Sequence, residues 1–208
     1  NNTGYGFYGA ASYYPTIAWP YTNIWGNSSG LRNSNVYEGS KTGAQAYNPL
    51  YKDPDNGDFT PTDRSPLRCS HQNNVDASGF VPYVGDPTGL TVGFLHEDMT
   101  LTAAGSPWLI PGDLIVQSHC TEEPVTLTIE PGAILQFAKN ADLMGGGDAT
   151  TTTELLVYDN LVIDGAAAQA QFISQGETTA KNAWAGIHLL SGSQVDADGF
   201  LIDNANYG

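Results

Sequence analysis

Three aspartates stand close together in the short stretch "DPDNGD" and are the residues best suited to hold a cation. Asp53, Asp55 and Asp58 bring three carboxylates together within six positions, and calcium accepts several oxygen ligands in irregular geometry. The EF-hand pattern requires an acidic residue at its twelfth position, which here is Arg64. Calcium is therefore the one cofactor that the sequence suggests, bound in an irregular loop rather than in an EF-hand.

The same stretch has a second interpretation as a tight turn. Pro54 fixes its own φ, and the Asn56-Gly57 dipeptide is a common turn former. The Asp58 carboxylate would then accept hydrogen bonds from nearby backbone N–H groups. The sequence leaves the calcium site and the turn open as alternatives.

Catalytic groups are sparse in the rest of the chain. Enzymes that cleave acidic polysaccharides need clustered carboxylates together with a basic residue. Asp196 and Asp198 form the only close acidic pair on a strand-like segment, and no Lys or Arg lies near them. The four histidines are isolated from one another, so we assign no catalytic residue and expect that the chain is not an enzyme.

Aromatic residues crowd the first 25 positions, where Tyr5, Phe7, Tyr8, Tyr13, Tyr14, Trp19, Tyr21 and Trp25 occur. Such residues line ordinary strands, form contacts between subunits, or stack on sugar rings. The contacts that we predict for self-assembly are Tyr5, Tyr8, Tyr13 and Trp19 at one end of the chain, with Phe200 and Tyr207 at the other.

The charge balance excludes several classes of partner. The chain has 22 acidic and 7 basic residues, a formal net charge of −15. Nucleic-acid binding needs clustered Lys and Arg, and an anionic membrane surface would repel this chain. No apolar run reaches the roughly 20 residues that a membrane helix requires. We therefore expect neither nucleic-acid binding nor membrane insertion.

Two cysteines and two glycosylation sequons point to an extracellular or cell-surface location. Cys69 and Cys120 show no metal-binding spacing, and an oxidising compartment would pair them in a disulfide. Two unrelated buried thiols are the alternative. Asn1 and Asn27 begin N-x-S/T sequons and are candidate glycosylation sites.

Hydrophobic alternation predicts an all-β chain, because no sustained helical periodicity is present. The segment "VTLTIEPGAILQFAKN" at 125–140 alternates through Leu127 and Ile129, then Ile134, Gln136 and Ala138. "LLVYDNLVIDG" repeats this form at a shift of about 28 residues. A third unit follows at 184–208, and such units must stack to bury their inner faces.

These segments carry a family resemblance in the second half of the chain. "TLTIEPGAILQF", "LLVYDNLVIDG", "AQFIS" and "WAGIHL" follow one another between residues 108 and 208. In this order they resemble the first coils of secreted right-handed parallel β-helix proteins, which include surface and adhesin-like solenoids. The resemblance implies a right-handed parallel β-helix for this half.

The first half resembles the opposite end of the same family. "YYPTIAWPYTNIWGNSSG" at 13–30 is similar to a late coil, and "NPLYKDPDNGDFTPTDRSP" at 48–66 is similar to the segment that closes such solenoids. The stretch "LRCSHQNNVDASGFVPYVGD" departs from the usual continuation. The resemblance thus places closing coils at 1–66, a junction or cap at 67–107 and opening coils at 108–208, in permuted order.

The order of these segments, with the closing coils before the opening coils, has three explanations. The chain is cut from an array of solenoids, or it is a subunit whose last coil stacks on the first coil of the next copy, or it is an arbitrary fragment. Heterologous stacking has no natural stopping point and generates filaments. We therefore expect a structural subunit of an extracellular fibre or cell-surface array, with itself as the main partner. The alternative is a secreted module that binds a surface glycan, or a polysaccharide-degrading β-helix enzyme.

Overall fold

The computed structural model describes residues 16–17, 25, 37–38, 47–67, 91–118, 123–139, 142–144, 151–176 and 182–206 of the chain. Within these ranges the chain is mostly β-strand, with single-turn 3₁₀ helices at Pro54–Asn56 and Ala103–Gly105. None of the helices in this part is long and apolar enough to cross a membrane.

Four short strands precede the main body of the fold. Strands β1 (Thr16–Ile17) and β2 (Tyr37–Glu38) pair in parallel and form a two-stranded sheet. Strands β3 (Tyr51–Asp53) and β4 (Asp58–Pro61) form an antiparallel hairpin. Gly57 closes its turn with a φ of +84°, a conformation that glycine adopts without strain.

Twelve strands of the described residues form the main body, which we call the stack. They are β5 (Gly93–Phe94), β6 (Met99–Leu101), β7 (Trp108–Ile110), β8 (Leu114–Val116), β9 (Thr126–Ile129), β10 (Ile134–Phe137), β11 (Glu154–Val157), β12 (Asn160–Asp164), β13 (Ala170–Ser174), β14 (Gly186–Leu189), β15 (Gln194–Asp198) and β16 (Phe200–Ile202).

Successive strands of the stack enter three parallel sheets in turn. The first sheet has the order β5-β8-β11-β14, the second β6-β9-β12-β15, and the third β7-β10-β13-β16. All neighbouring strands in these sheets are parallel. Three consecutive strands therefore make one circuit, and four circuits (β5–β7, β8–β10, β11–β13 and β14–β16) lie one upon another.

Alternating side chains from all three sheets fill one shared core. In β9 the buried residues are Leu127 and Ile129, as the alternation predicts. In β10 the buried residues are Leu135 and Phe137 instead of the predicted set that begins at Ile134. Odd-numbered residues therefore face inward both before and after the turn, and the predicted inward set in β10 was displaced by one residue.

A second apolar cluster covers the outer face of the first sheet. Leu50, Val92, Phe94, Ile115, Met144 and Leu156 form this outer cluster. Strands β8 and β11 are consequently buried on both faces, and their apolar sequences run continuously instead of alternating. The segment that contains Leu50 is held to the loop at 142–144, because Asn48 N–H donates to the Met144 carbonyl at 2.9 Å.

The predicted repeat shift, about 28 residues from the self-similarity of the sequence, is wrong. Thr126 of β9 pairs with Asn160 of β12, a separation of 34 residues. The pairing of Leu135 in β10 with Phe172 in β13 spans a still longer stretch of chain. The sequence alignment had matched strands of neighbouring sheets. Each corner of a circuit consists of a strand, a turn and a strand. A sequence alignment that is displaced by one strand therefore still matches apolar residues with apolar residues.

The predicted fold class also requires correction. The prediction was an all-β, right-handed parallel β-helix with its opening and closing parts in permuted order. The described chain instead has parallel four-stranded sheets side by side, and the predicted closing segment contains an antiparallel hairpin at 51–61. Its Pro54 and Gly57 reverse the chain within a few residues, which a parallel connection does not allow.

The stack does not begin at the predicted boundary. Its first strands, β5 and β6, lie inside the range 67–107 that was predicted as a junction or cap. The range 108–208 therefore holds the remainder of the stack. Within 1–66 the described strands are β1 to β4, and none of them belongs to the three main sheets.

Candidate assembly site at the open end of the stack

The last circuit of the stack is exposed although its sequence resembles that of a buried one. Every residue of β15 is exposed, and two of the three residues of β16 are exposed as well. The equivalent strands one circuit earlier, β12 and β13, alternate between buried and accessible positions. We call the surface formed by β14, β15 and β16 the open end.

The register shows that inward-facing side chains of this circuit lack a covering layer. Val195 pairs with Leu161, and Ala197 pairs with Ile163, so both continue a column that is buried in the preceding circuit. Val195 nevertheless has 42% of its surface exposed. The core of the stack thus opens to solvent here.

An apolar groove of about 350 Å³ lies at this end. Its lining residues come from all three sheets and are Leu161, Ile163, Ile187, Leu189, Val195, Ala197, Phe200 and Ile202. Phe200 borders the groove and makes an edge-to-face contact with Phe172, with ring centroids 6.4 Å apart. Groups of exposed apolar residues of this kind mark interaction surfaces more often than ordinary surface.

The strands of the open end also lack a neighbouring strand on one side among the described residues. Among the described strands, β14, β15 and β16 are the terminal members of their sheets. A terminal strand presents unpaired N–H and C=O groups along one side and accepts a further strand there. Beyond β16 a single parallel bridge joins Ala205 to Trp184, next to the start of β14.

The open end is acidic as well as apolar. Residues 182–206 contain Asp196, Asp198 and Asp203 but no Lys or Arg. Asp198 has a structural role, because its Oδ1 accepts from Gly165 N–H at 2.9 Å. Asp198, one member of the acidic pair noted in the sequence, therefore joins two circuits at a corner.

The opposite end of the stack is closed by the segment 47–67. Phe94 N–H of β5 donates to the Arg64 carbonyl at 3.0 Å, and the Leu50 side chain contributes to the outer cluster with Phe94. Gly93 has a φ of +86°, and a Cβ added there would clash with the Arg64 carbonyl oxygen. The close approach of these two backbones explains why glycine stands at this position.

Side chains reinforce this closure. The Ser65 hydroxyl donates to the Pro49 carbonyl at 2.6 Å, and the Ser65 carbonyl lies 3.2 Å from Nε2 of His96. Asn48 Nδ2 donates to the Leu143 carbonyl at 2.7 Å. The two ends of the stack therefore differ in kind, one covered by the chain itself and the other open.

Two of the three aspartates of the predicted calcium loop, Asp53 and Asp58, are directed to protein partners. Asp53 accepts from Nδ2 of Asn56 at 2.8 Å, and Asp58 accepts from Thr60 N–H at 3.1 Å and lies 3.7 Å from the Lys52 ammonium. The Thr60 hydrogen bonds lower the pKa of Asp58. The turn interpretation of this stretch is confirmed, and calcium binding by it stays a prediction.

Metal-binding clusters are also absent from the remainder of the described ranges. There, no three His, Cys, Asp or Glu side chains are arranged to hold an ion.

A buried acidic cluster beside the outer cluster was not predicted. Asp113 and Glu154 are fully buried, and Asp113 Oδ1 accepts from Glu154 N–H at 2.9 Å. Burial, followed by the charges of Asp142 and Glu154, raises the pKa of Asp113 to about 9. Oε2 of Glu154 lies 3.9 Å from Nδ1 of His188. Asp113 therefore holds its proton at neutral pH.

Other aspartates act as backbone acceptors at the corners of the circuits. Oδ1 of Asp98 accepts from Thr126 N–H at 2.8 Å. Oδ2 of Asp159 accepts from Val125 N–H at 3.2 Å. Some of the acidic side chains thus accept hydrogen bonds from backbone N–H groups where strands end.

Of the predicted assembly contacts, the structure places Phe200 at the open end. The other predicted site residues lie outside the described residues, and they are Tyr5, Tyr8, Tyr13, Trp19, Tyr207, Cys69, Cys120, Asn1 and Asn27. Sequence reasoning missed Leu189, Val195 and Leu201, which share this surface with Phe200. Their signal was the apolar residues of the strand-like segments in the third unit of the sequence.

Comparisons with protein-family models, with curated proteins and with solved structures give no match to this chain.

Proposed function

We propose that this chain is a structural subunit of an extracellular fibre or cell-surface array that grows by head-to-tail stacking of one copy on the next. The observation that carries the proposal is the difference between the two ends of the stack. At one end the inward-facing Leu95, Leu101 and Ile110 are fully buried and residues 47–67 cover the edge of β5, whereas at the other end an apolar groove is open to solvent.

Unlike ends favour a directional assembly. If the open end of one copy contacts a different surface of the next, each addition leaves a new open end exposed. Such heterologous contacts continue without a natural stopping point. An exposed apolar surface beside open strand edges favours association with a partner that covers it.

The experiment compares the purified wild-type chain with two lysine variants by negative-stain microscopy and sedimentation velocity. Val195→Lys places a charge over the groove, and Leu143→Lys changes a residue of similar exposure, 43% against 42% for Val195, outside the groove lining. We expect fibres or growing oligomers from the wild type and from Leu143→Lys, and monomers from Val195→Lys. A wild-type chain that stays monomeric on concentration would overturn the proposal.

A further inference from the structure

A partner that binds the open end must supply strands that pair in parallel with β14, β15 and β16. It must also supply apolar side chains for the groove, and it must not add negative charge. The groove offers side chains from three sheets, and β14, β15 and β16 offer parallel strand edges. The three aspartates of residues 182–206 oppose the approach of any acidic surface.

Two copies facing each other by their open ends do not meet this requirement. A two-fold contact would bring Asp196, Asp198 and Asp203 of one copy near the same residues of the other. Each copy also carries a net charge of −15. Like charges placed opposite one another across an interface cost several kcal/mol.

One part of the chain has the required charge. Residues 1–37 contain no Asp or Glu, and Arg32 is their only charged side chain. The first acidic residue is Glu38, the last residue of β2, so residues 1–38 carry one basic and one acidic side chain and no net formal charge, and the other 21 acidic residues lie in 39–208. The same N-terminal segment holds the aromatic residues that cluster in the first 25 positions.

A parallel strand pair that belongs to none of the three sheets begins in this segment. Thr16 of β1 pairs with Tyr37 of β2. Gly93 of β5 pairs with Leu114 of β8, and the stretch of chain between these two partners has the same length as that between Thr16 and Tyr37. The step from β1 to β2 thus equals the step from the first circuit to the second in the first sheet, whereas the corresponding steps in the other two sheets are longer.

We infer that the strand pair β1–β2 of a second copy adds to the open end and continues the stack. This inference rests on the proposed function and names the segment that makes the head-to-tail contact. Addition of a strand to an exposed edge is an established mode of recognition, in which backbone hydrogen bonds provide affinity and side-chain pockets provide specificity. Here the groove supplies the pockets, and the charge difference selects this segment over the acidic remainder of the chain.

Photo-crosslinking tests the identity of the segment. p-Benzoylphenylalanine is incorporated at position 195 in the full chain, with the same substitution at position 143 as the control. Equal amounts of ¹⁵N-labelled and unlabelled chains are assembled together, irradiated and mapped by mass spectrometry. We expect crosslinks from position 195 to residues 16–38 of a differently labelled chain, and none to those residues from position 143.

The outcomes separate this inference from the proposed function. Fibres whose crosslinks from position 195 map to another segment would overturn the inference and leave the structural function standing. Crosslinks to residues 16–38 within the same chain would show that the pair covers its own open end, which also overturns the inference. A chain that remains monomeric would overturn the proposed function itself.

A charge variant provides an independent readout. Asn35→Asp introduces an acidic residue into the acid-free segment, and Gln175→Glu makes the same amide-to-acid change at an exposed residue after β13. We expect Asn35→Asp to raise the critical concentration for assembly several-fold at low salt, with recovery as salt screens the repulsion. Equal critical concentrations for the two variants would contradict the inferred contact.

Discussion

The ring of Phe137 stacks on the indole of Trp184, with centroids 3.9 Å apart and planes inclined by 9°. Phe137 ends a strand of the second circuit, whereas Trp184 introduces the fourth. Both side chains are fully buried, and the Trp184 Nε1–H donates to the Asp203 carbonyl at 2.9 Å. This pair therefore ties the middle of the stack to its open end.

Removal of the indole should destabilise the whole stack. We expect Trp184→Ala to lower the free energy of unfolding by about 3–5 kcal/mol, because a large buried side chain is replaced by a cavity. Urea unfolding followed by far-UV circular dichroism measures this change. Trp25→Ala is the matched control, since Trp25 is 39% exposed, and it should change stability by less than about 0.5 kcal/mol. Equal losses in the two variants would contradict the role of Trp184.

The buried carboxyl of Asp113 should make stability depend on pH. Its pKa is raised from 3.8 to about 9 in the folded chain, so between these values the folded state keeps a proton that the unfolded state releases. The contribution of this group to stability is therefore complete below the lower value. It is lost as pH rises toward the upper one, by at most about 1.4 kcal/mol per pH unit.

The variant Asp113→Asn tests this pH dependence, because its amide oxygen still accepts from Glu154 N–H. We expect the free energy of unfolding of the variant, relative to the wild type, to rise between about pH 5 and about pH 8. Asp98→Asn, at an exposed residue that also accepts a backbone hydrogen bond, is the matched control variant. A difference between Asp113→Asn and wild type that does not change with pH would refute the prediction.

Local alternation revealed the strands, but it did not reveal how they pair. The pattern in 125–140 predicted β9 and β10 correctly. The predicted inward set in β10 was nevertheless one residue out of phase, because Leu135 and Phe137 keep the odd parity of Leu127 and Ile129 across the Pro131-Gly132 turn. The repeat shift failed because each circuit contains several corners of the same strand–turn–strand form, and the sequence does not show which strands belong to one sheet.

The open end and the buried acidic cluster depend on distant residues. Asp113 and Glu154 are 41 residues apart, and only the register of the first sheet brings them together. Single-sequence patterns contain no record of that register. The sequence named Phe200 as an assembly contact, which stays a prediction, and it gave no indication that the surrounding residues of β15 are exposed.

The closing segment should be held in place by one asparagine. Nδ2 of Asn48 donates to the Leu143 carbonyl, and its Oδ1 accepts from Leu50 N–H at 3.0 Å. Asn48→Ala removes both bonds, and we expect a loss of about 1–2 kcal/mol. The amide of Phe94, which donates to Arg64, should then exchange with solvent faster.

Asn56→Ala is the control for this prediction. Asn56 is exposed, and its side chain donates to the Asp53 carboxylate within the hairpin turn. It should leave exchange at Phe94 unchanged. If Asn48→Ala also leaves that exchange unchanged, the segment 47–67 is held by its apolar contacts, and the asparagine bonds do not determine its stability.

Calcium should have little effect on the stability of the hairpin loop. Asp53 and Asp58 are directed to Asn56, Thr60 and Lys52, and a cation would have to displace these partners. A ligand that binds the folded state alone raises the melting temperature in proportion to its occupancy. We therefore expect the same melting temperature with EDTA and with millimolar calcium. If calcium raises the melting temperature and Asp55→Asn abolishes the rise, the loop is a calcium site, and its carboxylates must rearrange from the hydrogen-bonded turn to bind the ion.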